Sequence, residues 1–413
     1  MSRTCPTCSR TYSDEVFFCG HDGVITIQDQ DPADHDRRLG EQLGGYLVVA
    51  RVADGAMGRV YEGRHPETRA RVAIKVLHAD VVRDRVAVER FKREFETVAE
   101  MSHPHIVHVL EFGDTPDESY FMTMDYLVGR ELGTALEAGQ PLGTARALRI
   151  LCQAALALDY AHSFGFIHRD LKPDNIFLCE TPEGDDVRIL DFGSVKLQVE
   201  VGAKLTAMGT TVGSPFYMSP EQAMGKADVD QRSDVFALGA ILYEMLTGRI
   251  AFDAPNVAKI LVRIMNEMPE APSRVTDEAP AALDAVVLRA LQKDKGARYA
   301  SALELARAAS SALGLSLEVE AAARMPVQEL QRAIDAATPA ATPEPGPEAE
   351  PERPAAGAPA DAGADRDTRP RLGLSTHDQL EVPMKGLGGR SRTLAWVGVG
   401  LVALIAVVVV LLR

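Results

Sequence analysis

A lysine closing an apolar strand confines this chain more than any other feature. Val72-Ala-Ile-Lys75 ends a short run of strand-forming residues, and an ammonium group placed there is costly to desolvate unless an anion sits beside it. The flanking pattern narrows the choice of anion. Tyr46 to Val52 reads as one strand and Val60 to His65 as the next, with Gly55 and Gly58 in the turn between them. Glycines let backbone N–H groups approach closely, so such a turn can fold over phosphates, although alone it indicates only a hairpin. A helix is expected from Arg85 to Met101, and it offers Glu94 as a second charge for Lys75.

Four more motifs follow in order: His168-Arg-Asp-Leu-Lys-Pro-Asp-Asn175, Asp191-Phe-Gly193, Ser219-Pro-Glu221 and Ser233-Asp-Val-Phe-Ala-Leu-Gly239. Any one alone is a turn or a charged loop; together and in sequence they are not. With the glycine turn and Lys75, they make the stretch from Tyr46 to Leu313 resemble the bacterial eukaryotic-like (Hanks-type) Ser/Thr protein kinases. The resemblance implies an α+β, bilobal protein kinase fold with a β-rich N-lobe and a helical C-lobe. It also implies transfer of the ATP γ-phosphoryl group, with Mg2+, to Ser/Thr hydroxyls of protein substrates.

Phosphoryl transfer asks for charge neutralisation and in-line positioning more than for covalent chemistry. By the resemblance, Lys75 holds the α- and β-phosphates and is paired by Glu94, while Asn175 and Asp191 are hard oxygen ligands suited to Mg2+. Asp170 orients the substrate hydroxyl and accepts its proton, and Lys172 stabilises the transferring group. Val52, Gly55, Gly58, Val60 and Ala73 cover the nucleotide, Phe177 forms its floor, Met124 is the gatekeeper, and Asp125 to Leu127 form the hinge. His168 is read as structural beside Phe192, Glu221 as the partner of Arg298, and Asp234 as an anchor for the catalytic loop. Ala53 stands where the family has its first loop glycine, which implies a modest loss of nucleotide affinity. The intact set of Lys75, Glu94, Asp170, Asn175 and Asp191 favours an active enzyme over the alternative, a pseudokinase or nucleotide-binding signalling scaffold.

Arg169 precedes the catalytic aspartate, and in this class it pairs with a phosphorylated activation loop. Here that loop carries Thr206, Thr210 and Thr211, with Ser214 nearer its end. A phosphate adds about 1.5 to 2 negative charges, enough to order a segment against an arginine. Activation by autophosphorylation is expected, Thr210 or Thr211 before Thr206, in trans through a transient dimer.

Ahead of the kinase-like stretch, residues 1 to 45 hold Cys5-Pro-Thr-Cys8 and Cys19-Gly-His21-Asp22. A tight pair of cysteines away from an oxidising compartment suggests a metal knuckle, and zinc wants four tetrahedral ligands. The segment resembles a short zinc ribbon with one ligand exchanged: Asp22 holds the last position, His21 is the softer donor one residue early, and a ribbon that no longer binds metal is the alternative. Cys152 and Cys179 lie in apolar contexts and read as core thiols. The whole chain carries 44 Lys+Arg against 59 Asp+Glu, a net charge of -15, so nucleic acid is not an expected partner.

Beyond a trailing helical segment at 314–336, composition changes sharply. Of the 34 residues from Ala337 to Pro370, 18 are Ala or Pro and none is a large apolar residue, so the stretch 337–393 reads as a disordered linker and juxtamembrane segment. Leu394 to Leu412 is 19 residues without a charged or polar side chain, about the length that spans a bilayer core. It reads as one transmembrane helix with Trp396 at its interface. Lys385, Arg390 and Arg392 on the near side agree with positive-inside. No signal peptide is evident at the start. The expected location is the cell membrane, single-pass, kinase domain cytoplasmic, with only Arg413 after the anchor and no external sensor.

Overall fold

Alternation along the strands decides which side chains face the core. The computed structural model describes residues 2–29, 36–55, 58–79, 81–192 and 215–337, apart from the side chains at 86, 90, 93, 94 and 97. At the N-terminus β1 (Ser2–Thr4), β2 (Thr11–Ser13) and β3 (Ile27–Gln28) pair antiparallel in the order β2-β1-β3. Next, β4 (Gln42–Leu43), β5 (Tyr46–Asp54), β6 (Gly58–Arg64), β7 (Arg71–Leu77), β8 (Val109–Asp114) and β9 (Tyr120–Asp125) form a six-stranded sheet ordered β4-β5-β6-β7-β9-β8. Side chains alternate with period two. Val72, Ile74 and Val76 of β7 therefore join Leu43, Val48, Tyr61 and Phe121 in a small core on one face. Arg71, Ala73 and Lys75 are left half-buried on the other.

Helix α1 (Arg85–Ala99) ends two residues before the expected Met101 and lays Phe91 and Phe95 against Phe112 of β8, with ring centroids 5.8 and 5.4 Å apart. The second lobe begins with β10 (Gly129–Glu131), α2 (Leu132–Leu136) and α3 (Thr144–Ser163), and β10 pairs with β11 (Ile176–Thr181) and β12 (Gly184–Ile189) in a three-stranded sheet. Then come α4 (Pro220–Ala223), α5 (Arg232–Thr247), α6 (Val257–Asn266), α7 (Pro272–Val275), α8 (Asp284–Ala290) and α9 (Ala302–Ala312). Every residue of α5 from Ser233 to Thr247 is buried, the signature of an interior helix rather than an amphipathic surface one. At Gly239 a Cβ would meet the Cβ of Ala290, so glycine is what allows α5 and α8 to approach.

The buried core continues past Leu313. Helices α10 (Val319–Arg324) and α11 (Val327–Ala337) contribute Val319, Ala322, Ala323, Leu330 and Ile334 to it. Gln153 of α3 donates to the Ala323 carbonyl at 2.9 Å, and Val327 N–H donates to the Glu183 carbonyl at 3.1 Å. Among the described residues no helix is long and apolar enough to cross a membrane. Ala337, the first residue of the expected linker 337–393, ends α11; the rest of that linker and the expected spanning segment Leu394 to Leu412 lie outside the described residues.

Candidate active site

The cleft is built from one face of the six-stranded sheet and the loops at the end of the three-stranded one. Directly opposed residues in an antiparallel pair share a face. Val60 is opposite Lys75, Lys75 is opposite Met122, and Ala73 is opposite Met124. Val60, Ala73, Lys75 and Met124 therefore line one surface, as a nucleotide roof requires. Val52 is 48% exposed near the end of β5, and Gly55 N–H donates to the Gly58 carbonyl at 2.9 Å, closing the mouth of the glycine turn. A Cβ at Gly58 would run into the Val76 carbonyl, so β6 can lie this close to β7 only with glycine there. The hinge begins at Asp125, whose N–H donates to the His108 carbonyl at 3.0 Å, and continues through Tyr126 and Leu127. Phe177 lies on β11, opposite Glu131 and Arg188.

Lys75 finds an anion across the cleft: its Nζ is 2.8 Å from Asp191 Oδ1. The side chain of Glu94, its expected partner, lies outside the described residues, although the backbone of α1 carries it alongside the sheet. Asn175 donates from Nδ2 to the Asp170 carbonyl at 2.7 Å, so oxygen Oδ1 is the atom it offers to a cation. Lys172 Nζ stands 3.5 Å from Asp170 Oδ2. Arg169 and Asp191 both have left-handed backbone, φ 66° and 54°, a strained state for non-glycine residues that gathers at functional sites. Burial, then the negative charges of Asp174 and Asp191, push the Glu131 carboxyl above its usual range. The cleft mouth is thus acidic, and hard oxygen donors in a negative field are a fitting set for Mg2+.

Asp234, in the first turn of α5, holds the catalytic loop from below. Its Oδ2 accepts His168 N–H at 2.9 Å and its Oδ1 accepts Arg169 N–H at 2.9 Å, while His162 Nε2 lies 2.8 Å from Oδ2. Burial alone would raise the Asp234 carboxyl, yet the bond from His162 and the positive surroundings hold it below the ordinary range. His168 packs 4.8 Å from the Phe192 ring and bonds through Nε2 to the Leu190 carbonyl, a structural role as the sequence suggests. Arg298 grips Glu221 through two bonds, also as expected. Gln222, which is not among the sequence candidates, donates from Nε2 to the Arg169 carbonyl at 2.6 Å and so ties α4 to the catalytic loop. Its signal is the Ser219-x-x-Gln222 capping box that starts α4. Thr206, Thr210, Thr211 and Ser214 lie outside the described residues, as does Gly193.

In the N-terminal segment the ligand atoms of Cys5, Cys8, Cys19 and Asp22 all lie within 4.8 Å of one another. His21, the other candidate for the fourth donor, is not in this group. The reason is spacing. Cys8 follows Cys5 by three residues and Asp22 follows Cys19 by three, so equivalent turns bring those side chains beside one another, while His21 turns its backbone N–H to Cys19 Sγ at 3.4 Å.

Comparison with known proteins places the cleft in context. The sequence profile described as "Protein kinase domain" matches residues 46–310. The chain is 38% identical over 275 residues to the serine/threonine-protein kinase pkn3 of Myxococcus xanthus, covering 65% of this chain and 50% of that protein. It is 37% identical over 279 residues to the serine/threonine-protein kinase PknH of Mycobacterium bovis, covering 67% and 46%. The chain thus matches about half the length of these relatives. Among solved structures, the PknI kinase domain of Mycobacterium tuberculosis superposes with a TM-score of 0.54 at 30% identity, over 67% of this chain and 99% of that one. A matching profile over more than half of the chain, together with a cleft that joins Lys75, Asp170, Asn175 and Asp191, shows that the chain belongs to the protein kinase family.

Proposed function

We propose that the chain is a membrane-tethered Ser/Thr protein kinase, activated by autophosphorylation in trans, with a zinc-ribbon-like segment ahead of its catalytic domain. The observation that carries this reading is the convergence of Lys75, Asp191, Asn175, Asp170 and Lys172 on one cleft, with the catalytic loop hung from Asp234. Bound ATP with Mg2+ supplies the phosphoryl group and the counter-charge for its oxygens. Lys75 would hold the α- and β-phosphates, Asp191 and Asn175 Oδ1 would hold the metal, Asp170 would orient the acceptor hydroxyl and take its proton, and Lys172 would offset charge on the transferring group. Met124, Ala73, Val60, Val52 and Phe177 enclose the base, and the hinge from Asp125 to Leu127 offers backbone hydrogen bonds.

Regulation follows from Arg169. Its Nε is buried with no hydrogen-bond partner among the described residues, and an unpaired buried guanidinium nitrogen is costly. A phosphothreonine at position 210 or 211 supplies the missing acceptor. Leu394 to Leu412 is the anchor, and the coreless linker before it lets neighbouring catalytic domains meet in the plane of the membrane. The test is incubation of the full chain, in detergent, with ATP and Mg2+ beside Asp170→Asn, followed by phosphosite mapping. Phosphate on Thr210 or Thr211 in wild type and loss of incorporation in the variant are expected; equal incorporation in both overturns the catalytic assignment.

A further inference from the structure

The three sulfurs and one carboxylate of the N-terminal segment take no part in phosphoryl transfer, yet they are arranged as a site. Cys8 Sγ lies 3.5 Å from Cys19 Sγ, and Cys5 Sγ lies 3.4 Å from Asp22 Oδ2. Two thiolates on one tetrahedral zinc at about 2.3 Å stand about 3.8 Å apart, so the four donors are already near the edges of such a tetrahedron. All three cysteines are free thiols. Further hydrogen bonds reach the sulfurs: Cys8 N–H donates to Cys5 Sγ, His21 N–H donates to Cys19 Sγ, and the Tyr12 hydroxyl sits 2.9 Å from Cys19 Sγ. Donors aimed at thiolate sulfurs are the arrangement that holds metal ligands in place. Strands of three, three and two residues bury too little to fix these loops unaided.

The same loops touch the kinase sheet. Arg3, two residues before Cys5, is 2% exposed and donates to the Val49 carbonyl of β5 at 3.3 Å as well as to Thr26. Phe17, two residues before Cys19, lies under three guanidinium groups, with Arg3 and Arg64 each 4.4 Å and Arg71 5.8 Å from its ring centroid. Buried Glu62 balances them, bonded to Arg64 at 2.8 Å and Arg71 at 2.9 Å. Arg71 in turn stacks on the hinge residue Tyr126 at 3.5 Å. On β7, Arg71, Ala73 and Lys75 share a face, so Arg71 stands about 7 Å from the nucleotide roof.

We propose that Cys5, Cys8, Cys19 and Asp22 bind one Zn2+, and that the metal-held segment braces the hinge through Phe17, Arg71 and Tyr126, so that zinc occupancy sets the affinity of the cleft for nucleotide. The coupling rests on the kinase reading; the metal site does not. The full chain in detergent, purified with Zn2+, is assayed for metal by elemental analysis and for ATP affinity by direct binding titration, a readout independent of phosphoryl transfer. Expected are one zinc per chain and an ATP affinity about fivefold or more weaker after chelation, restored by Zn2+. Cys5→Ser with Cys8→Ser loses the metal and matches the chelated protein. Phe17→Ala keeps the zinc and loses the affinity difference. Wild type without zinc, or zinc retained in the double variant, overturns the site. Zinc present with equal ATP affinity in loaded and chelated protein, or a Phe17→Ala chain in which the difference persists or the metal is lost, overturns the brace.

Discussion

Arg298 holds Glu221 through two parallel bonds, NH1 to Oε1 at 2.8 Å and NH2 to Oε2 at 2.7 Å, with both side chains buried. Ser233 adds a third bond to Oε1 at 2.6 Å, and Arg298 stacks 5.0 Å from the Phe236 ring. Removing one partner strands a buried charge, so Arg298→Met is expected to cost about 3–5 kcal/mol of stability. The combined change Glu221→Leu with Arg298→Met should cost clearly less than the sum of the single changes. Chemical denaturation of the four proteins reads the coupling, and strict additivity would show that the two side chains act independently.

Asp234 fixes two successive amides of the catalytic loop, so its loss should misplace Asp170 without touching the roof of the cleft. Asp234→Ala is predicted to lower kcat by about 100-fold while nucleotide affinity stays near that of wild type. Steady-state kinetics together with direct ATP titration separates the two. A variant with unchanged kcat would mean that the loop holds its shape by other contacts.

Gly58 permits the close approach of β6 to β7. In Gly58→Ala the added methyl meets a backbone carbonyl that cannot swing aside as a side chain can. The strands must part, and a loss of about 1–3 kcal/mol is expected, as in other overpacked sites. Weaker ATP binding should accompany it if the same turn covers the phosphates, as proposed. Ala53→Gly, on the exposed side of β5, should leave stability nearly unchanged, which makes it the control.

Burial, with Arg298 adding repulsion, brings the Lys293 ammonium down to about 8. Its Nζ has no hydrogen-bond partner among the described residues and lies 4.1 Å over the Phe252 ring. Between that value and the ordinary lysine value of about 10.4, the unfolded chain binds more protons than the folded one, so stability rises with pH through the window. Below it the penalty is fully present. Lys293→Met should therefore be the more stable protein at about pH 7, by on the order of 1 kcal/mol once solvent screening is allowed for. The advantage should shrink toward about pH 10. Denaturation of both proteins at the two pH values tests this, and a pH-independent difference would remove the lysine as its cause.

Much of the cleft was legible because kinase chemistry concentrates its needs in short local runs. Val72-Ala-Ile-Lys75 announces both a strand and a buried charge, and period-two alternation then puts Ala73 and Lys75 on one face. Asp234 and Glu221 could be paired with their partners only through the family resemblance, since residues 66 and 77 positions apart are brought together by folding rather than by spacing. What stayed hidden depends on distant partners. Nothing in the sequence marks Arg3, whose burial becomes visible only when β1 is seen against β5. Helices α10 and α11 looked like a trailing appendage because their apolar residues are mostly alanine, a weak signal of burial until α3 is seen to receive them. That Asp22 rather than His21 shares a cluster with the three cysteines follows from turn geometry, which donor softness alone does not predict.

The suspension of the catalytic loop from α5 carries a further meaning. A helix buried along its length belongs to the part of a protein that opens last. The amides of His168 and Arg169 are bonded to a carboxylate on that helix, so they are expected to exchange with solvent only when that helix opens. The segment around Asp170 should thus combine the irregular backbone of a loop with the slow exchange of a core. Heat should then erase catalysis and tertiary structure in a single step, with no intermediate in which a folded protein has lost only its active site.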